Sequence, residues 1–192
     1  MTAVFLTLLA CLAADPLGQV RQFDLPDTAG RRHTTADWAD RKAVVLVFLG
    51  TECPVSNGYA PVLAALAKQA NERGVAFYGI HADPDVTAEQ AAKHAREYGL
   101  RFPILLDPRQ QIARQAGVGT MPEAVVLTKH GTIRYRGRVD DRYTPAGRRR
   151  LEATTHDLAD AMLAVAAGMV PSVATTQPFG CPLPRIRERT QE

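Results

Sequence analysis

The sequence predicts an α/β domain of three layers, in which helices lie on both faces of a central sheet. Three observations support this prediction: an apolar run long enough for a buried strand, short strands that alternate with segments of helical periodicity, and a β-hairpin near the end of that alternation. With 192 residues, 46% of them hydrophobic, the chain can bury the core of one such domain.

The first elements surround the buried strand. Residues Gln19–Trp38 alternate between polar and apolar side chains and break at "DTAG", which predicts a β-hairpin. The run "AVVLVFL" (Ala43–Leu49) is apolar on both faces, as is typical of a central strand in a parallel or mixed sheet. Apolar residues at helical spacing then predict a helix from Pro54 to Arg73, and Gly74 ends it.

The next segments continue the alternation of strand and helix. The predicted elements are a strand at Val75–Ile80, a helix at Thr87–Tyr98, a strand at Phe102–Leu106 and a helix at Arg109–Gly117. Thr87 and Gln90 have the spacing of a capping box, which fixes the start of the first of these helices. The pattern is therefore that of parallel strands joined by helical crossovers.

A hairpin and a final helix complete the predicted domain. The stretches "EAVVLT" and "TIRYRGRV" flank "KHG" (Lys129–Gly131), which predicts antiparallel pairing. The last helix is expected from about Thr155 to Ala167. The remaining residues are rich in proline and polar side chains, so we expect a mobile tail. We divide the chain into residues 1–18, a domain at 19–168 and a tail at 169–192.

The N-terminus predicts export. Residues Ala3–Ala14 are apolar throughout, too few to span a bilayer but suited to the apolar region of a secretory signal. The stretch "LLAC", ending at Cys11, also resembles a bacterial lipoprotein processing site. We therefore expect residues 1–18 to be a signal and the protein to be periplasmic or attached to a membrane; a short buried helix is the alternative. A net charge of +3, with no aromatic residues among the basic clusters, argues against nucleic-acid binding.

One cysteine lies where the buried strand gives way to the following helix. Pro54 suits the first helical position, because its missing N–H needs no partner there, so Cys53 is the expected N-cap. A thiolate at this position faces unpaired backbone N–H groups and the positive end of the helix, which lower its pKa. Ser56 can direct its hydroxyl at the sulfur. We expect Cys53 to lie at the surface as a reactive thiol, rather than in the core as a small hydrophobic residue.

The stretch "FLGTECPVSNGYAP" resembles the active-site turn of the thioredoxin superfamily, in which an apolar strand leads into a reactive cysteine. Pro61 follows Cys53 by eight residues, which matches the spacing of the proline in that family. The stretch "VGTMPEAVVLTKHG" resembles the family's second landmark, a cis-proline before a hairpin. The resemblance implies a cis bond before Pro122 and a Met121 backbone that faces Cys53. Together with Thr51, these two residues are expected to dock an extended substrate.

The stretch "FPILLDPRQQIARQAGVGTMPEAVVL" is similar to the redoxin branch of that superfamily, the alkyl hydroperoxide reductase and thiol-specific antioxidant relatives of thioredoxin. The stretch "YRGRVDDRY" and a tail bearing "TQPFGC" resemble the peroxiredoxin-like group of secreted or membrane-attached bacterial redoxins. The resemblance implies a thioredoxin fold with an N-terminal β-hairpin and a βα insertion before the cis-proline. It also implies a thiol-dependent oxidoreductase that acts on a peroxide or a disulfide, needs no cofactor or metal, and draws on an external thiol reductant.

The sequence departs from these families at positions that bear on the chemistry. Ser56 stands where the second cysteine of Cys-x-x-Cys would be, so no disulfide can form within the turn. Gly50 occupies the place of a threonine in true peroxiredoxins. Their catalytic arginine would correspond to Thr120 or Met121, with Arg136 or Arg138 as the alternative that could replace it in space. We therefore hold peroxidase and thiol–disulfide exchange activities level. Cys181 is the internal candidate to resolve oxidised Cys53; the alternatives are that it has no role or pairs with another protein.

A binding function is the alternative to catalysis. Copper-delivering domains of this fold use two cysteines and a distant histidine; here Asn57 stands where the second cysteine would be, and His81 lies near a strand end. One thiolate and one imidazole make a poor metal site without further ligands. The alternative is therefore a non-catalytic module that holds copper or a client cysteine through Cys53 with His81. No oligomeric state is predicted.

Overall fold

The computed structural model describes residues 17–144 and 148–186. The strands are β1 (Asp24–Pro26), β2 (Arg32–Thr34), β3 (Ala43–Phe48), β4 (Val75–His81), β5 (Ile104–Leu106), β6 (Thr120–Met121), β7 (Glu123–Thr128), β8 (Ile133–Gly137) and β9 (Cys181–Pro182). The α-helices are α1 (Pro54–Glu72), α2 (Ala88–Glu97), α3 (Gln111–Ala116) and α4 (Asp157–Ala166), and a 3₁₀ helix spans Thr35–Trp38. The predicted signal at 1–18 lies outside the described residues except for Leu17 and Gly18. Across the described ranges, no helix combines the length and apolar character needed to cross a bilayer.

The central sheet has five strands in the order β5-β4-β3-β7-β8. Strand β3 lies in the middle, parallel to β4 and antiparallel to β7, and all six of its residues are buried. This confirms the prediction that the apolar run is a central strand. The predicted hairpins are also present, as β1–β2 and β7–β8. The arrangement is the thioredoxin fold with an N-terminal hairpin and a βα insertion, β5 and α3, before the cis-proline.

Alternate side chains of β3 enter two separate cores, because successive residues of a strand point to opposite faces. One face packs against α1, α2 and α4, with Leu63 and Met162 fully buried there. The other face packs against the N-terminal hairpin, the 3₁₀ helix and α3, with Trp38 and Ile112 buried there. The three layers hold β3 firmly, and the site lies at its carboxyl end.

The inserted strand and helix are shorter than predicted. Strand β5 begins at Ile104 because Pro103, which precedes it, has no N–H to donate to a sheet. Helix α3 begins at Gln111, since Gln110 has a left-handed backbone. The buried carboxylate of Asp107 caps α3 by accepting from the backbone N–H groups of its first three residues, at 2.7–3.0 Å.

The tail packs against the domain from Ala174 to Pro184, whereas a mobile tail was expected. Its first part runs along β8: the N–H of Arg136 donates to Ala174 (3.0 Å), and the N–H of Thr176 donates to Arg136 (3.2 Å). Its second part forms β9, which pairs antiparallel with β6. A polar, proline-rich composition indicated disorder, but here the backbone groups of the tail find partners on two strands of the domain.

Candidate active site

Cys53 caps the helix that follows the central strand, as predicted. Its backbone is extended (φ −80°, ψ 112°), Pro54 is the first helical residue, and the carbonyl oxygen of Cys53 accepts the first helical hydrogen bond from Asn57 (2.9 Å). The N–H of Cys53 donates to Gly50 (3.3 Å), which closes the turn between β3 and α1. The sulfur therefore stands at the positive end of a helix of 19 residues.

Cys53 is buried rather than at the surface, which corrects the prediction. Only 3% of it is exposed. Two features cover it that the local sequence does not reveal. The side chain of Met121 lies over the turn, so close that a Cβ on Gly50 would be 3.2 Å from its Cε. The tail brings Cys181 to the same place through the pairing of β9 with β6.

The bond between Met121 and Pro122 is cis. The carbonyl oxygen of Met121 accepts a hydrogen bond from the Cys53 thiol (3.1 Å), so this backbone does face the sulfur. However, Met121 is not available to an external substrate, because it already pairs with Cys181 of the tail. In this structure a segment of the chain itself occupies the proposed docking edge.

Ser56 is buried beside the sulfur. Its Oγ accepts from the N–H of Gly50 (3.3 Å), which orients the side chain toward the turn. Its backbone N–H and its hydroxyl both lie near enough to Cys53 to lower the pKa of the thiol. The side chain of Cys53 nevertheless makes no capping hydrogen bond to the helix. The predicted contact between serine and sulfur is thus present, whereas its role in a reaction is a proposal.

The two thiols have pKa values that move in opposite directions. Burial raises the pKa of Cys53, but hydrogen bonds from the Cys181 thiol and from Ser56 outweigh it and leave the pKa below its usual value. Burial, the hydrogen bond to Cys53 and the negative charge of Cys53 raise the pKa of Cys181 to about 11. Cys53 is therefore the more readily ionised of the two thiols, and Cys181 is the one that keeps its proton.

Thr51, the third predicted docking residue, is half-buried in the same turn. Its carbonyl oxygen accepts from the side-chain amide of Asn57 (3.1 Å), and the amide oxygen of Asn57 contacts Nε2 of His94 (2.8 Å). This connection to α2 was not predicted, because nothing in the sequence links residues on two different helices. In this structure Thr51 supports the turn through its backbone.

Glu123 also lies near the site and was not predicted from the sequence. Its buried carboxylate accepts from the N–H groups of Gly119 (3.1 Å) and Thr120 (3.2 Å), so it shapes the loop that leads into β6. Burial raises the pKa of Glu123, while those two hydrogen bonds and the charge of Arg136 act in the opposite direction. Its position directly after the expected cis-proline, Pro122, was the one sign in the sequence that could have pointed to a role near the site.

The copper alternative uses Cys53 with His81, but these residues make different contacts. The sulfur contacts Met121 and Cys181, whereas the ring of His81 packs against that of His94, with centroids 5.2 Å apart. Both ring nitrogens of His81 are buried without a hydrogen-bond partner, and burial lowers its pKa to about 4. Within residues 17–144 and 148–186, no three His, Cys, Asp or Glu side chains gather as metal ligands.

Comparison with known proteins agrees with this geometry. Thiol-disulfide oxidoreductase ResA of Geobacillus thermodenitrificans is 31% identical over 113 residues, which are 58% of this chain and 63% of that protein. The chain thus spans less than two thirds of the length of this relative. ResA of Geobacillus kaustophilus is 29% identical over the same proportions of both chains.

Solved structures match over more of the chain. An uncharacterized conserved protein from Geobacillus kaustophilus superposes with a TM-score of 0.78 at 25% identity, over 90% of this chain and 94% of that one. A secreted disulfide oxidoreductase of Mycobacterium tuberculosis, homologous to DsbE of E. coli, has the same fold, with a TM-score of 0.53 at 21% identity over 77% of this chain and 96% of that one. Residues 17–136 match the AhpC/TSA family, and because they are more than half of the chain, the protein belongs to that family.

Proposed function

We propose that the protein is a thiol–disulfide oxidoreductase in which Cys53 is the nucleophile and Cys181 resolves it. The observation that carries this proposal is the meeting of two free cysteines beside Met121, one with a lowered pKa and one with a raised pKa. A thiolate is the attacking form in disulfide exchange, and a second thiol must follow to release the substrate. The relatives named thiol-disulfide oxidoreductases support the same chemistry.

The proposed reaction has two steps. The Cys53 thiolate attacks one sulfur of a substrate disulfide, forms a mixed disulfide and releases the other half of the substrate as a thiolate. Cys181 then attacks the sulfur of Cys53, and its proton goes to the departing second half. The substrate gains two electrons and the protein keeps a Cys53–Cys181 disulfide, which an external thiol reductant must reduce.

The pKa values favour this order of events. Of the three causes that raise the pKa of Cys181, burial is the largest, but the other two both come from Cys53. When Cys53 enters a mixed disulfide it loses its negative charge, so this part of the rise disappears. Cys181 therefore becomes easier to ionise at the step in which it must attack.

A protein or peptide disulfide reaches Cys53 only after β9 has left β6. We propose that Met121, Pro122 and Thr51 then form the docking surface, with the backbone of Met121 pairing with the substrate instead of with Cys181. We also propose that the protein acts after export, because Ala3–Ala14 has the character of a secretory signal and disulfides persist in oxidising compartments.

Oxidation followed by peptide mass analysis tests this function. Reduced protein is mixed with oxidised glutathione, or in a parallel reaction with hydrogen peroxide. We expect a Cys53–Cys181 disulfide in the unchanged protein and in the control variant Cys11→Ser. The Cys181→Ser variant should stop at glutathione on Cys53, and Cys53→Ser should not turn over.

The outcomes separate the rival readings. Faster oxidation by glutathione disulfide than by peroxide supports exchange, and the reverse order makes the protein a peroxidase. If the unchanged protein reacts with neither oxidant and instead binds Cu(I) tightly in a way that requires Cys53 and His81, the oxidoreductase proposal is wrong and the protein is a binding module.

A further inference from the structure

Gln110 has an unusual backbone conformation close to the site. With φ 52° and ψ 33° it is the one non-glycine residue at positive φ among residues 17–144 and 148–186. Residues other than glycine, asparagine and aspartate rarely adopt this backbone conformation. It persists only where the surroundings compensate for its strain. The sequence shows no sign of it, because glutamine here fits a helical pattern.

The conformation directs the amide of Gln110 at two carbonyl groups. Its Nε2 donates to the carbonyl oxygen of Ala82 (3.0 Å) and to that of Pro184 (2.5 Å), so both protons of the amide are used. Ala82 is a fully buried residue that follows β4, whereas Pro184 lies three residues after Cys181 in the tail. The buried side chain thus joins the rigid sheet to the tail.

The tail has few donors of its own at this point. Pro182 and Pro184 have no N–H, so between Cys181 and Arg185 only Leu183 can donate from its backbone, and it does so to Gly119 (2.9 Å). A strand that lacks alternate donors pairs weakly with its neighbour. An amide that donates to the tail from the domain side makes up for this loss.

We propose that Gln110 is a positioning residue that latches the tail so that Cys181 stays against Cys53. The inference rests on the proposed function, since it concerns the reaction between these two thiols. The latch acts on how often the tail lies against the domain and not on the exchange step between the sulfur atoms, because Gln110 contacts the tail and neither cysteine. A glutamate of the same shape would lack the N–H groups and would set a carboxylate against two carbonyl oxygens.

The effective concentration of Cys181 at Cys53 tests the latch. It is obtained from the equilibrium between the internal disulfide and glutathione in buffers of known redox composition. The main variant is Gln110→Gly, because glycine adopts φ 52° without strain and lacks the amide. The matched control is Gln111→Ala, which removes an exposed neighbouring amide and keeps the backbone N–H that donates to Asp107.

Only the bond to Pro184 joins Gln110 to the tail, and an ordinary hydrogen bond is worth roughly a factor of five in an equilibrium constant, so we expect the effective concentration in Gln110→Gly to fall about fivefold. Gln110→Glu should fall at least as far, and Gln111→Ala should not change. Urea unfolding of the reduced Gln110→Gly protein should show little loss, which separates a latch from a general structural role. An unchanged effective concentration in both Gln110 variants would overturn the latch alone. Failure of the unchanged protein to form the disulfide would instead overturn the proposed function.

Discussion

Gly180 allows the tail to approach Met121, and its replacement by alanine is the sharpest test of how the two thiols meet. A Cβ on Gly180 would overlap the carbonyl oxygen of Met121 and lie 2.7 Å from its carbonyl carbon and 3.0 Å from Cδ of Pro122. The first two are backbone atoms, held by the pairing of β6 with β9. They cannot turn aside as the end of a side chain could, so the tail itself must move.

The expected magnitude follows from the cost of overpacking. Forcing an extra methyl group into a packed site costs about 1–3 kcal/mol, and each 1.4 kcal/mol is about a factor of ten in equilibrium. We therefore expect Gly180→Ala to lower the effective concentration of Cys181 at Cys53 by about fivefold to a hundredfold. The covering of the sulfur should loosen as well, so alkylation of reduced Cys53 should become faster.

Gly119→Ala is the matched control for this experiment. Gly119 lies in the same region, before β6, but a Cβ there would have open space, with no heavy atom within 4 Å. The assay is equilibration with glutathione followed by acid quenching and separation of the oxidised and reduced forms. If Gly180→Ala keeps the effective concentration of the control, the approach of β9 to β6 does not govern the reaction, and the reasoning from the clash is refuted.

Three further outcomes are expected. Ser56→Ala removes one of the donors that lower the pKa of Cys53, so the pH profile of alkylation should move to higher pH; an unmoved profile would leave the serine without that role. Burial lowers the pKa of His81 from its ordinary 6.5 to about 4. The unfolded chain therefore takes up a proton on this ring before the folded protein does, so the folded protein should lose stability as the pH falls from 6.5 toward 4. His81→Gln should reduce that loss by about 3 kcal/mol, as measured by urea unfolding at about pH 7 and about pH 4. Thr87→Ala breaks the capping box of α2 and should lower the free energy of unfolding by about 1 kcal/mol in the same assay.

The sequence predicted the elements whose causes are local. The apolar run at Ala43–Leu49 requires burial on both faces wherever it lies, so its central position in the sheet followed directly. Pro54 fits only the first turn of a helix, which made Cys53 the N-cap. The capping box at Thr87 likewise depends on residues within one turn of each other.

The features that the sequence did not predict arise from contacts between distant residues. The burial of Cys53 depends on a tail that begins more than a hundred residues later, and proline-rich composition gave no sign that this tail pairs with β6. The left-handed backbone of Gln110 is stabilised by Ala82 and Pro184, neither of which is near it in sequence. Gly180 was a usable signal, since a glycine directly before the only cysteine of the tail marks a close approach.

The tail is attached to the domain on both sides of Cys181, at Thr176 and at Pro184. Cutting the main chain between Gln177 and Gly180 would leave a C-terminal fragment held to the domain by non-covalent contacts alone, at β9 and at Pro184. Oxidation would then make a disulfide the sole covalent link between the two pieces. Such a split protein would report its own redox state, since the pieces would separate on denaturation when reduced and remain together when oxidised.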